Sequence, residues 1–228
     1  MKLEPLHGWD MTPREAVALQ RELRERLVPR PPRGLKVERV AGADISMLRG
    51  EDTAYGGFVV LDAGTLEPVA RASAAVKLGF PYVPGLLSFR ELPVLAGAWE
   101  RLEVRPDVLI FDGQGTAHPR RFGLACHGGM LFDVPSIGCA KSLLVGEHGP
   151  LGEERGAMTE LFHRGEVVGM AVRTRPKVQP VYVSPGHRMD LRTAVELVLR
   201  VTTRYREPET TRHAHRLVNE VRRAARAG

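Results

Sequence analysis

Three acidic residues stand at places where the sequence predicts that regular structure begins or ends. Asp44 lies in AGADIS near the end of a predicted strand, and Asp112 directly follows the apolar run VLIF. Glu91 closes the stretch GFPYVPGLLSFRE. Functional sites of open α/β sheets gather at the carboxyl ends of strands, and carboxylates are preferred ligands of Mg²⁺ and Mn²⁺. Either aspartate alone is better explained as a turn cap. The two together, in a basic protein, favour a metal site.

Glu91 has an alternative structural role. Ser88-Phe89-Arg90-Glu91 has the form of a capping box, which would place Glu91 inside a helix. Pro93 would then fall within that helix and clash with the preceding turn. We therefore predict a helix that begins near Glu91 or Leu92, with Glu91 at its mouth and free to reach a metal.

Lys141 follows another predicted strand, SIGCA. A lysine beside a carboxylate and metal site can hold a phosphate or stabilise the charge that develops on it. Taken alone, Lys141 is better explained as an ordinary surface lysine.

Length and composition set limits on the class of protein. The 228 residues, 43% hydrophobic and 26% charged, fit a single globular domain spanning 1–228. Apolar runs are too short for a transmembrane helix and the N-terminal stretch lacks a secretory signal, so we expect a cytoplasmic protein with no membrane partner. We also expect a monomer. The two cysteines, Cys126 and Cys139, do not form a CxxC pair, and we expect them to be reduced and partly buried.

Positive charge is concentrated near the C-terminus. The net charge is +6, and residues 200–228 contain eight arginines against three glutamates. Such a stripe indicates an anionic partner, with nucleic acid the first candidate. It is equally consistent with a solvated helix end, where arginine suits the helix dipole.

The predicted elements describe one mixed α/β domain. Thr12-Pro13-Arg14-Glu15 is a capping box that opens a helix ending before Pro29. Strands over 36–46, 57–62 and 68–78 form an antiparallel meander, and a helix follows over 92–102. Buried strands of the parallel type, separated by helices, come next. Their ranges are 108–111, 135–140, 167–174 and 180–184, with helices around 124, from 190 to about 203, and from about 208 to 225.

Five segments make the chain resemble the endonuclease V family, repair nucleases that act on deaminated adenine (inosine) in nucleic acid. They appear in the family's order over most of the chain, and the stretch PYVPGLLSFRE is highly specific whereas the short DIS is not. The segments are Asp44–Ser46, Tyr82–Glu91, Asp112–Gly115 through His118–Arg121, Gly138–Ser142, and Glu209–Arg212 ending at His215.

The resemblance implies a ribonuclease H-like fold and a set of catalytic residues. The family's metal carboxylates fall on Asp44, Glu91 and Asp112, with Mg²⁺ as the expected cofactor and Mn²⁺ as a substitute. Lys141 matches the family's site lysine. His215 matches a further active-site position, although His213-Ala214-His215-Arg216 is less diagnostic. The roles of His118, His127 and His213 stay open.

The resemblance also implies a mode of recognition. In the family, the Pro-Tyr-x-Pro loop is a wedge whose ring replaces stacking lost when a base leaves the helix, worth roughly 1–3 kcal/mol per base. The displaced lesion base then occupies a pocket built largely of backbone. The wedge and pocket residues implied are Tyr82, Pro84, Gly85, Leu87, Gly113 and Gly138, and the residues implied to contact the DNA backbone are His118, Arg120 and Arg212.

The implied activity is repair of inosine-containing DNA, duplex or single-stranded. The family hydrolyses the second phosphodiester bond on the 3′ side of the lesion and leaves a 3′-hydroxyl and a 5′-phosphate. Two alternatives remain: an inosine-specific endoribonuclease or another ribonuclease H-like nuclease, such as a junction resolvase, and a non-catalytic lesion binder. The presence of all three acids argues against the last.

Overall fold

The computed structural model of the protein describes residues 1–47, 50 and 52–227. Within this range the chain forms a mixed β-sheet flanked by helices, as predicted. The strands are β1 Arg39–Met47, β2 Thr53–Asp62, β3 Pro68–Lys77, β4 Val108–Phe111, β5 Ser136–Ala140, β6 Glu147–His148, β7 Met158–His163, β8 Glu166–Val172 and β9 Val181–Pro185. The helices are α1 Pro13–Glu25, α2 Leu87–Glu100, α3 Leu124–Phe132, α4 Leu191–Arg200 and α5 Glu209–Ala227.

The nine strands of the described residues lie in the order β3-β2-β1-β4-β5-β9-β8-β7-β6. The meander β1–β2–β3 is antiparallel, as predicted. Strands β1, β4 and β5 are parallel. The expectation of parallel strands thereafter was wrong, because β9, β8, β7 and β6 pair antiparallel. These strands follow one another through short connections, whereas a parallel pair needs a long crossover such as α3 between β4 and β5.

Helix α2 begins earlier than the sequence predicts. It starts at Leu87 and carries Pro93 in its interior. Pro93 has no amide hydrogen to donate to the carbonyl of Phe89, but burial of Phe89, Leu92 and the apolar residues that follow outweighs that loss. The capping box does not form either, because the helix cap is Leu86 and makes no side-chain hydrogen bond. The box at Thr12, in contrast, caps α1 as predicted.

Helices cover both faces of the sheet. Helices α2 and α3 pack on one face, where Leu95 and Phe132 meet Phe58. Helices α4 and α5 pack on the other, where Val198 and Leu217 join the second core. No helix within the described residues has the length and apolarity needed to cross a membrane.

Side chains along β1 point alternately to the two faces of the sheet, and this decides which of them face α5. Val40 belongs to the core under α4 and α5, whereas Ala41 and Ala43 belong to the opposite core. Side chains two residues apart share a face, so Asp44 lies on the α5 side. A Cβ atom at Gly42 would overlap the carbonyl of Thr210. Glycine at this position therefore lets the first turn of α5 approach the strand.

Both cysteines are buried and unbridged, Cys126 in α3 and Cys139 in β5. Burial raises the pKa of the Cys126 thiol to about 12. Burial, followed by the negative charge of Asp112, raises the pKa of Cys139 as well. The expectation of reduced cysteines agrees with this arrangement, and their burial is more complete than the sequence suggested.

Candidate active site

Asp44 in β1 and Asp112, directly after the neighbouring parallel strand β4, lie side by side. Ala43 and Phe111, the residues that precede them, are partners in the register of β1 with β4. The sheet thus brings the two aspartates together at one level, where the short strand β4 ends and its loop begins. Burial, and then the charge of Asp112, raises the pKa of Asp44, although a hydrogen bond from His215 opposes the rise.

Glu91 reaches this position from α2, which packs on the opposite face of the sheet. Burial raises the pKa of Glu91 to about 8, with further contributions from the charges of Asp44 and Asp112. Glu91 is thus within electrostatic reach of both aspartates.

Lys141 follows β5 and neutralises part of this negative charge. Its Nζ atom lies 2.6 Å from Oδ2 of Asp112 and 3.1 Å from Oε2 of Glu207. Burial alone would lower the pKa of Lys141, but the hydrogen bonds and charges of Asp112 and Glu207 outweigh it and raise that pKa. Glu207 was not singled out from the sequence, since only the folded chain brings it beside Lys141.

His215 joins the acids from α5. Its Nδ1 atom lies 2.8 Å from Oδ2 of Asp44, and 60% of its side chain is exposed. His213 lies two positions earlier on the helix and therefore faces away from His215. His127 is fully buried beneath α2, where its Nδ1 lies 2.9 Å from the hydroxyl of Ser88 and its Nε2 lies 2.6 Å from Nε2 of His7. His127 therefore supports α2 rather than the acids.

The donor set suits a hard divalent cation. Asp44, Glu91 and Asp112 supply only carboxylate oxygens, and their mutual repulsion is what a bound cation would relieve. In their present positions, no three His, Cys, Asp or Glu side chains of the described residues form a ready-made metal site. Oδ2 of Asp112 already binds the ammonium of Lys141, so these side chains would have to move for a cation to bind there.

A largely apolar pocket opens beside Asp112 and Lys141. Its volume is about 370 Å³. Five of the six predicted wedge and pocket residues line it, namely Tyr82, Pro84, Gly85, Leu87 and Gly113. The Tyr82 side chain is 71% exposed, so its ring is not packed into its own loop. Leu143 and Leu144 also line the pocket and are partly exposed. The sequence analysis missed these two, although adjacent exposed leucines after a strand are a usable signal.

Gly138, the sixth predicted residue, supports the pocket without lining it. A Cβ atom at this position in β5 would overlap the backbone of Gly115 and crowd that of Gly113 and Gln114. Glycine at 138 therefore allows the loop after β4 to pack directly against β5, and that loop in turn forms a wall of the pocket.

His118 and Arg120 hold the loop of residues 81–85, here called the wedge loop, in place. Nε2 of His118 lies 3.0 Å from the Gly85 carbonyl oxygen, to which Arg120 and Gln20 also donate, at 2.6 and 3.1 Å. His118 is buried, and burial followed by the charge of Arg120 lowers its pKa to about 4. Neutral His118 thus donates from Nε2 and accepts the Arg120 amide at Nδ1. Both side chains bind the loop in this structure, and their contact with DNA phosphates stays a prediction.

Arg212 is likewise engaged within the protein. Its guanidinium pairs with Glu209 at 2.5 Å and lies 3.3 Å from the ring centroid of Tyr205. It lines a polar groove of about 440 Å³ along α5, on the far side of Lys141 from the apolar pocket. Exposed Arg216 and Arg223 line the same groove and are better placed than Arg212 to meet phosphates.

A mixed sheet flanked by helices, with two aspartates close together on its central strands and a lysine beside them, places the chain in the ribonuclease H-like fold class. The family model for Endonuclease V matches residues 21–216. A relative from Myxococcus xanthus named Endonuclease V is 75% identical over 225 residues, which are 98% of this chain and 96% of the relative. The chain belongs to the Endonuclease V family, and it is therefore a nuclease that hydrolyses phosphodiester bonds.

Solved structures of the family share the fold. The Endonuclease V of Streptomyces avermitilis is 44% identical and superposes with a TM-score of 0.89, covering 96% of each chain. The Endonuclease V of Ciona intestinalis, in complex with a 24mer DNA containing an inosine followed by a ribo-adenosine, is 29% identical with a TM-score of 0.77. That comparison covers 93% of this chain and 98% of the other.

Proposed function

We propose that this nuclease recognises inosine in DNA and cuts the second phosphodiester bond on the 3′ side of the lesion, leaving a 3′-hydroxyl and a 5′-phosphate. One observation carries the proposal. An apolar pocket large enough for a purine base opens directly beside Asp112 and Lys141, with the exposed ring of Tyr82 at its mouth. The complex of the Ciona relative with inosine-containing DNA supports the same substrate.

Recognition rests on the loop that carries Tyr82. Prolines on either side of the Tyr-Val pair restrict the backbone, so little loop entropy is lost on insertion into a duplex. The exposed ring stacks on the neighbouring base when the lesion leaves the helix. Three donors to the Gly85 carbonyl keep the loop in position before DNA arrives.

The chemistry rests on the carboxylates and the lysine. Asp44, Glu91 and Asp112 would hold Mg²⁺, or Mn²⁺ in its place. When bound, the cation supplies positive charge that polarises the phosphodiester and activates water as the nucleophile. Asp112 and Glu207 keep the ammonium of Lys141 protonated. It lies beside Asp112, where it stabilises charge gained by the phosphate. His215 holds Asp44 through its Nδ1 atom.

We further propose that the chain works as one catalytic domain and as a monomer. A single sheet connects β3 to β6, and all the proposed site residues come from one chain. Size-exclusion chromatography with light scattering, in the absence and presence of the substrate, tests this part separately.

The decisive experiment is cleavage of matched oligonucleotides. Four substrates carry one inosine each: duplex DNA, single-stranded DNA, single-stranded RNA, and DNA with a single ribonucleotide on the 3′ side of the inosine. We expect nicking of the DNA substrates with Mg²⁺, none after EDTA, and none when adenine replaces inosine. Sequencing of the product ends locates the cut. Cleavage that ignores inosine, or cutting at the lesion itself, would reject the proposal.

Action on inosine-containing RNA is the second candidate. The Ciona complex favours testing it, because the nucleotide after the inosine in that DNA is a ribo-adenosine. Faster cleavage of the RNA or single-ribonucleotide substrate than of all-DNA would replace deoxyribonuclease with ribonuclease as the main activity. Binding without nicking on every substrate would instead indicate a lesion-binding protein.

A further inference from the structure

Asn219, the only asparagine in the sequence, lies one helical turn after His215 in α5. Its Nδ2 atom is 3.0 Å from Nε2 of His215 and 2.8 Å from the His215 carbonyl oxygen. Its Oδ1 atom accepts a hydrogen bond of 3.2 Å from the hydroxyl of Ser46 in β1. The Ser46 oxygen in turn accepts one of 2.7 Å from Arg222. Asn219 therefore connects the active-site histidine to the strand that carries Asp44.

The spacing of the two elements makes this connection possible. Two residues of a strand span about 6.6 Å, and four or five residues of a helix span about 6 to 7.5 Å. Alternate residues of β1 consequently meet successive turns of α5. The pairs are Gly42 with Thr210, Asp44 with His215, and Ser46 with Asn219.

Hydrogen-bond direction determines which nitrogen of His215 carries the proton. The carboxylate of Asp44 can only accept, so Nδ1 of His215 must donate to it. In the neutral ring Nε2 then has a lone pair, which needs a donor. The amide nitrogen of Asn219 is that donor, and its opposite end is fixed because Oδ1 accepts from Ser46.

We propose that Asn219 is a positioning residue for the nuclease reaction, which holds the exposed ring of His215 in the tautomer and orientation that face Asp44. The ring needs such support, because 60% of the His215 side chain is exposed and its bond to Asp44 restrains only one of its two nitrogens. Ser46 and Arg222 anchor the asparagine and not the histidine, so their effect on the reaction is indirect and smaller. The inference rests on the proposed function for its kinetic test, but the state of the His215 ring can be measured without it.

Two substitutions separate the contact to His215 from the contact to Ser46. Asn219→Asp keeps an acceptor for Ser46 and removes the donor to His215, whereas Ser46→Ala does the reverse. Asn219→Ala removes both contacts without adding charge. Loss of a residue that orients an active-site ligand typically lowers activity by about 10- to 100-fold. We expect that loss in kcat for both Asn219 variants and a smaller loss for Ser46→Ala, with unchanged affinity for inosine duplex in the uncharged variants Asn219→Ala and Ser46→Ala.

A double-mutant cycle shows whether Asn219 acts through His215. In a His215→Ala background, Asn219→Ala should cause no further loss of kcat, because the group that it positions is gone. A full additional loss in that background, with a lowered melting temperature, would assign Asn219 to the stability of the β1–α5 junction and overturn the proposal. A loss in Asn219→Asp but not in Asn219→Ala would reflect added charge and would overturn it too.

The ring itself gives a readout that does not depend on catalysis. Two-bond ¹H–¹⁵N spectra of uniformly labelled protein report the tautomer of each histidine, and the His215→Ala spectrum assigns the His215 signals. We expect the Nδ1–H form in the wild type and a mixture of tautomers in Asn219→Ala. An unchanged His215 signal in that variant would reject the inference, even if no substrate were cleaved. A wild-type protein that shows the expected tautomer but does not nick inosine substrates would reject the proposed function alone.

Discussion

The two sides of Lys141 are built by different means. On one side, the pocket is lined by backbone and apolar side chains, and its mouth is held by hydrogen bonds that converge on the Gly85 carbonyl. On the other, Asp44 in β1, Asp112 directly after β4 and His215 in α5 are coupled charged or polar groups. The pocket is complete before a substrate binds. Lys141 offsets only part of the negative charge of the carboxylates, so we expect a bound cation to complete their arrangement. A substitution in the pocket should therefore impair binding of the lesion, whereas a substitution among the charged residues should impair cleavage.

The largest loss of activity is expected when one of the carboxylates beside Lys141 is replaced. Asp44→Asn keeps the shape of the side chain and should lower Mg²⁺-dependent nicking by more than about 100-fold, the scale on which a lost electrostatic group slows catalysis. Burial raises the pKa of Asp44, so its charge disfavours the folded state at neutral pH. The metal-free variant should therefore melt at a higher temperature than the wild type.

Calorimetry and a nicking assay on the same preparations check this prediction. Asp10→Asn, at an exposed carboxylate outside the site, is the matched control and should change neither quantity. Near-normal activity of Asp44→Asn would remove Asp44 from the catalytic set, and a lowered melting temperature would show that its charge supports the fold.

The next effect belongs to the pocket side. Tyr82→Ala should weaken binding to inosine duplex by roughly 1–3 kcal/mol, which is about ten- to hundredfold, because the ring that stacks is removed. Tyr82→Phe keeps the ring and should cost little. Neither variant should change the melting temperature, since the side chain is 71% exposed. The loss should shrink on single-stranded substrate, where no duplex is opened. Equal losses on both substrates would reject the wedge.

The polar groove along α5 should show a smaller, salt-dependent effect. Arg216→Gln with Arg223→Gln should weaken binding on all sequences alike and flatten the slope of log K against log salt by roughly 0.9 for each phosphate that the protein no longer neutralises. Arg30→Gln with Arg33→Gln removes the same charge from exposed positions that do not line the groove. If both pairs flatten the slope equally, general charge and not the groove attracts the nucleic acid.

The smallest expected effect is on the pH dependence of stability, and it comes from His118, which binds the wedge loop. Burial and the charge of Arg120 lower the pKa of His118 from 6.5 to about 4. Below pH 6.5 the unfolded chain takes up a proton that folded His118 does not, so stability falls as the pH drops from 6.5 toward 4. His118→Gln retains a donor for Gly85 but does not titrate. Its melting temperature should therefore depend less steeply on pH across this window. A slope in His118→Gln as steep as that of the wild type would show that His118 does not cause the loss of stability.

The sequence predicted the positions of the acids better than their surroundings. Asp112 could be found because a charged residue directly after VLIF stands out. Asp44 was predicted near the end of its strand, but β1 continues to Met47 and Asp44 lies within it. Partners such as Glu207 and Asn219 could not be found from the sequence, because they reach the site only when α5 packs against the sheet.

One prediction failed where tertiary contacts outweighed a simpler expectation. Pro93 was expected to delay the start of the helix to about Glu91 or Leu92, but α2 starts at Leu87 and its buried face tolerates the proline. The contacts of His118 and Arg120 with the Gly85 carbonyl could not be predicted either, because they form only in the folded chain. Strands β6 and β7 were missed because β6 has two residues and β7 is largely exposed, which leaves little apolar periodicity to detect.

The burial of the two thiols makes the folded protein unreactive toward alkylating reagents. Thiolate is the reactive form of cysteine, and raised pKa values keep Cys126 and Cys139 protonated while solvent is excluded from them. Cys126 lies in α3 and Cys139 in the central strand β5, so each becomes reactive only when its own part of the core opens. The rate at which a reagent modifies each thiol therefore reports how often the part of the core around that thiol opens. It can be read with or without DNA, and without introducing any label.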